Sequence, residues 1–147
     1  MTTKSFRAKI ADSAVDIISL HTNNGSTGYR IKKLDIFPAA PGSSHYEAVI
    51  KVYSIPQTTV DGDVDFSDNT LLGVSHYVAD HAKHYAASPI ITVFDNMTFN
   101  QDIYVTYKGI DGATSDMNYY IELEQVKLDL NENTVATLKD IRNIASQ

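Results

Sequence analysis

Three groups of side chains have types and spacing that could do chemistry. Asp61-Gly62-Asp63-Val64-Asp65 places carboxylates at alternate positions, where they can converge on a hard cation such as calcium. The EF-hand pattern then breaks: Phe66 stands at the glycine position and Leu72 at the bidentate glutamate position. A surface loop of acidic turn residues is the plainer account, and a calcium site between subunits the other. His76, His81 and His84 lie close to Asp80. On a helix, His76, Asp80 and His84 would share a face and could ligate zinc. His76 sits in a strand-like stretch, however, and the His-Glu-x-x-His signature is absent. Exposed or hydrogen-bonded histidines are the simpler reading. Glu122 and Glu124 project from one strand face, as a glycosidase pair would. The same spacing describes a solvated strand face.

No Gly-x-Ser-x-Gly marks a nucleophile, and no phosphate-binding or dinucleotide fingerprint occurs. With no cysteine there are no disulfides, thiolate metal sites or thiol nucleophile. The expectation is a protein that is not an enzyme, with no catalytic, cofactor-binding or metal-binding residues. Four tyrosines, Tyr104, Tyr107, Tyr119 and Tyr120, cluster near the end of the chain. Tyrosine joins apolar area to a polar tip, so the cluster suits sheet packing, a subunit contact or a sugar-stacking face. The lack of tryptophan weighs against the sugar.

These side chains need a scaffold, and the pattern supplies strands. The 147 residues favour one domain, long enough to bury a sizeable core. Phe6, Ala8 and Ile10 alternate with polar residues, and Val15 to Leu20 is a second short candidate. From Tyr29 to Phe37 the apolar phase changes. Tyr29 and Ile31 share one face, Leu34 and Ile36 the other. A bulge near Lys32-Lys33, or a strand bridging two sheets, accommodates that. Tyr46 to Val52, Leu72 to Val78 and Ile90 to Phe94 continue the series, separated by a long acidic loop over residues 55–70. Such a loop is usually functional or mobile. Asp80 to Ser88 is ambiguous and compatible with a short helix.

The clearest alternation comes last. Ile103, Val105 and Tyr107 form one apolar row; Tyr119, Ile121 and Leu123 form another across a polar turn. An antiparallel hairpin is the natural reading. The second row changes phase at Glu124-Gln125, after which Val126, Leu128 and Leu130 are the apolar positions. Val135, Leu138, Ile141 and Ala145 then follow helical spacing, with Asn131 or Asn133 available as cap. The expected fold is mainly β: an antiparallel β-sandwich, jelly-roll-like, of about eight strands with one C-terminal α-helix. Residues 1–130 would form the sandwich, and 131–147 a helix packing on it or on a neighbouring subunit.

The formal net charge is −6, and no basic run exceeds Lys32-Lys33, so nucleic acid is not an expected partner. No apolar run approaches the roughly 20 residues that span a bilayer, so neither is a membrane. The first ten residues lack the apolar core of a signal peptide, so the expectation is cytoplasmic synthesis without standard export. The acceptor patterns Asn96-Met97-Thr98 and Asn24-Gly25-Ser26 are then not expected to carry glycans.

The run Asn118-Tyr-Tyr-Ile-Glu-Leu-Glu-Gln-Val-Lys-Leu-Asp-Leu130, followed by Asn131 to Asn143, resembles the C-terminal end of small virion structural proteins of tailed bacteriophages, particularly marine ones. The resemblance covers the last fifty residues best. It implies a capsid decoration or cement protein binding the outer surface of the head, located in the virion after synthesis in the host cytoplasm. A tail, neck or fibre component is the alternative within that class, and a carbohydrate-binding module the alternative outside it. Expected partners are the major capsid protein or other virion proteins, and further copies of the chain; a trimer would suit an icosahedral lattice. Contacts are expected through the N-terminal arm, the Asp61-Asp68 loop and the terminal helix.

Overall fold

The computed structural model describes residues 2–20, 26–41, 45–80, 90–110 and 115–128, with backbone alone at 45, 46 and 80. Within them eight strands form two antiparallel sheets: β1 (Thr2–Ile10), β2 (Val15–Ile18), β3 (Thr27–Pro38), β4 (His45–Tyr53), β5 (Leu71–Asp80), β6 (Ile90–Phe94), β7 (Ile103–Ile110) and β8 (Met117–Lys127). A three-stranded sheet runs β1-β8-β3, and a five-stranded sheet runs β2-β7-β4-β5-β6. One apolar cluster joins them, drawing Tyr119, Ile121 and Leu123 from the first and Ile50, Val52, Val105 and Tyr107 from the second. The mainly β, sandwich-like expectation therefore holds. The helix expected at 131–147 lies outside the described residues, as do most of 80–88; Asp80 itself ends β5.

The phase change in β3 resolves as a bulge. Its register with β8 steps from Ile31↔Leu123 to Lys33↔Glu122, leaving Lys32 unmatched, and Leu34 then faces Ile121. The extra residue turns Leu34 and Ile36 back toward the core that Ile31 already occupies. In β8 no such step occurs. Its ladders continue through Val126↔Gly28 and Lys127↔Thr27. The even positions after Leu123 thus belong to the opposite face, where Leu128 is buried against Gly28. A Cβ on Gly28 would come within 3.0 Å of the Leu128 side chain, so glycine leaves room for that leucine.

The hairpin expected from the two tyrosine-rich rows does not form. β7 lies between β2 and β4, β8 between β1 and β3, and the two belong to different sheets. Both alternate because both turn one face to the same core, from opposite sides. Alternation reports a half-buried strand; it does not say which strand lies beside it. The connection crosses from sheet to sheet, and Tyr107 anchors it by donating its hydroxyl hydrogen to the carbonyl of Ser115 at 2.6 Å. Between β1 and β2 the chain turns through Ser13, whose φ of 63° is left-handed. The Asp12 carboxylate accepts from Gly109 N at 2.8 Å and Ser13 N donates to Tyr107 O at 2.9 Å, holding that turn on β7.

Candidate functional site

The acidic loop is held against the sheet by hydrogen bonds of its own residues. It leaves β4 and returns to β5 through a base closed by Ser54 N donating to Thr70 O at 2.9 Å. Between these ends it folds over the outer face of the five-stranded sheet. Lys51 of β4 alternates with the core residues Ile50 and Val52 and so points to that face, yet its side chain is only 5% exposed. Its ammonium donates to Asp61 Oδ1 at 2.9 Å and to the carbonyl of Asp63 at 2.7 Å. It also lies 5.7 Å from the centroid of the Tyr53 ring, within cation–π range. The Lys51 ammonium thus occupies the space between Asp61 and the carbonyl of Asp63. Gly62 approaches β7 so closely that a Cβ there would meet the Ile110 side chain at 3.0 Å.

The remaining carboxylates build turns. Asp65 accepts from Ser67 N at 2.9 Å and Ser67 Oγ at 2.6 Å; Asp68 accepts from Thr70 N at 2.8 Å and Thr70 Oγ1 at 2.6 Å. These are local Asx contacts that pin an acidic chain in place. Among the described residues no three His, Asp or Glu side chains converge as metal ligands. The electrostatics agree. The hydrogen bond from Lys51 holds the Asp61 carboxyl below its ordinary value, overcoming the partial burial that raises it. Burial lowers the Lys51 ammonium, but the hydrogen bond to Asp61 and the contact with Tyr53 together raise it above its ordinary value.

The other candidates are dispersed. His76 projects from the outer face of β5 and its Nε2 lies 3.1 Å from Glu47 Oε1 of β4; His81 and His84 fall outside the described residues. Glu124 is engaged by Arg30 Nε at 2.5 Å, and that hydrogen bond holds its carboxyl below the ordinary value. Glu122 faces Lys33 in the ladder. Glu124 therefore serves a cross-strand ion pair, while Glu122 shares only the register of Lys33. The tyrosines divide between environments. Tyr107 and Tyr119 are core residues. Burial raises the Tyr119 phenol and the neighbouring Asp16 carboxylate, 3.0 Å from its hydroxyl, raises it further. Tyr104 and Tyr120 lie half-buried on the outer faces of the five- and three-stranded sheets.

Two surfaces emerge that residue spacing did not reveal. The first is apolar. Phe66, at the crest of the acidic loop, is 70% exposed, and Val64 and the β6 residues Ile91 and Val93 are exposed as well. A cleft of about 440 Å³ there is lined by Phe66, Leu71, Val93, Phe94 and Met97 among others. β6 carries no charged residue, unlike β1, β2 and β3, so this edge of the sheet lacks the charges that usually guard edges.

The second is basic. The strands of the three-stranded sheet hold seven Lys or Arg against three Asp or Glu, a net charge of +4 in a chain of −6. The acidic loop holds four Asp and no basic residue. Charge is thus polarised across the sandwich. On the basic sheet, the ladder aligns Arg7, Tyr120 and Asp35 in one row and Lys9, Asn118 and Phe37 in the next. A cleft of about 710 Å³ is lined by these six and reaches Ile90 of β6. No family model matches the chain, and neither does any curated protein.

Proposed function

We propose that this protein is a non-enzymatic virion structural protein: a decoration or cement protein that binds the outer surface of a tailed-phage head and stabilises it, built as a jelly roll. The strand order carries the reading. A jelly roll sets β1-β8-β3-β6 against β2-β7-β4-β5, a framework common to viral capsid and lectin domains. Here β1-β8-β3 faces β2-β7-β4-β5, and β6 extends the second sheet. Just beyond β6, Phe99 bridges Tyr29 on the free side of β3, with Tyr29 N to Phe99 O at 2.7 Å and Phe99 N to Tyr29 O at 2.8 Å. The chain after β6 thus reaches the place of the missing fourth strand.

The contact surface is the apolar crest. Phe66 and Val64 stand out from a loop that Lys51 of β4 ties to the sheet, beside the uncharged edge β6. An exposed apolar patch on a pinned support marks a protein-binding surface. Stabilisation follows from mass action, since a protein that binds only the assembled shell shifts the equilibrium toward it. The partner is the major capsid protein, with copies of this chain clustering at the lattice symmetry axes.

Immunogold labelling of purified virions, with antibody raised against the folded protein, tests the location. Gold over the heads is expected. Gold confined to the tail, neck or fibres would replace this reading with that of a tail component, and particles without label would reject both.

A further inference from the structure

The geometry points to a saccharide site on the basic sheet: the cleft between the Arg7 and Lys9 rows takes a sugar bearing a ring carboxylate, such as a uronic or sialic acid. Its volume, about 710 Å³, falls in the range of small-ligand pockets. Its chemistry is mixed in the way a sugar requires. Tyr120 supplies an aromatic surface at the centre of the sheet, and Phe37 a second one, 63% exposed. An aromatic ring offers an apolar face to the C–H side of a pyranose. Asn118 and Asp35 supply hydrogen-bonding groups for hydroxyls.

Charge complementarity selects an acidic sugar. Arg7 and Lys9 stand on one side of the central strand β8; on the other, β3 carries one acidic group at the cleft, Asp35, with Lys33 beside it. Asp35 is already paired with Lys33 at 3.4 Å. Lys9 reaches Asp116 only at 3.9 Å, with the lysine side chain 60% exposed and the aspartate 40%. No described residue forms an ion pair with Arg7 that would compete for a ligand carboxylate, and its planar fork suits bidentate recognition of one. Lys33, 5.8 Å from the Tyr120 centroid, braces that ring by a cation–π contact. The groups sit on three hydrogen-bonded strands, so the site is preorganised. A surface built only for phosphate tracking would not need two aromatics beside its cations.

Isothermal titration with tetragalacturonic acid and 3′-sialyllactose tests this, with maltotetraose and inorganic polyphosphate as comparators. At least one acidic saccharide should bind, and maltotetraose should bind at least roughly tenfold more weakly. Tyr120→Ala and Arg7→Ala should each weaken the acidic saccharide about tenfold, with Lys108→Ala on the other sheet leaving it unchanged. Phe37→Ala, at a site already largely in water, gives the same reading should Tyr120→Ala unfold. Failure of both acidic saccharides to bind at millimolar concentration would overturn the proposal. So would equal binding of polyphosphate that is insensitive to Tyr120→Ala and Phe37→Ala, which would show a merely cationic face.

Discussion

Ile121→Asp is expected to abolish cooperative folding. Ile121 is fully buried in β8, the central strand of its sheet, with Phe6 and Leu34 on either side in the ladder. A carboxylate there has no partner and no route to water. The lost burial and the unpaired polar group together cost upwards of about 5 kcal/mol. That is comparable to the whole stability of a domain, about 5–15 kcal/mol. Leu128→Asp should be milder, although Leu128 is also buried. It lies past the end of β8, where the substituted side chain can turn outward. Urea unfolding followed by circular dichroism separates them: no transition for Ile121→Asp, and a reduced but cooperative one for Leu128→Asp. Equal loss for both would mean that Leu128 belongs to the same core as Ile121.

Lys51→Glu should be nearly as damaging, for an electrostatic reason. The substitution places a carboxylate in a site where the lysine side chain is 5% exposed, facing Asp61 at ion-pair distance and the carbonyl of Asp63. Repulsion and desolvation together are expected to cost about 4 kcal/mol or more. Lys51→Met keeps the packed stem and removes only the charge. It should cost about 1–2 kcal/mol, because Asp61 is half-exposed and can rehydrate. The loop should then be cleaved faster by protease in both variants, with β4 and β5 intact in Lys51→Met. Equal stability of Lys51→Met and the native chain would show that the ammonium does not pin the loop.

The same pair fixes a pH window. Asp61 has a folded value below 3.8, so its contribution is present above the ordinary carboxylate range and fades as pH falls through the lowered value. Lys51 has a folded value above 10.5, so its contribution is complete below 10.5 and fades as pH rises through the raised value. Native stability should therefore lose this pair's support at acid pH and again at strongly alkaline pH, with no change from it between about pH 5 and 10. Lys51→Met should blunt both losses.

How much of this was legible can be followed residue by residue. The phase change in β3 was, because Ile31 and Leu34 cannot share a face in a regular strand; it allowed a bulge or a strand bridging two sheets, and the register shows the bulge. The division of β7 and β8 between sheets was not. Both strands alternate toward one core, and local periodicity carries no information about the neighbour. Lys51 was hidden by a clean pattern: Ala48, Ile50 and Val52 mark the core face, which assigns Lys51 to solvent by default. The contrary signal was Val49 and Tyr53 on that same outer face, both of them buried. A strand apolar on both sides predicts a cover, and the acidic loop is that cover. The basic surface has no local sequence signature because its residues come from β1 and β3, distant in sequence, which β8 brings into one sheet.

The two faces of the sandwich then have distinct proposed uses: the apolar crest toward the shell, the basic sheet toward a glycan. The attachment is the central claim, and the thermal stability of phage heads lacking this protein tests it most directly. Added protein should co-sediment with the heads and raise the temperature at which they release their contents, while Phe66→Asp, a change at an exposed position, should do neither. Native protein that neither co-sediments nor shifts that temperature would contradict the account.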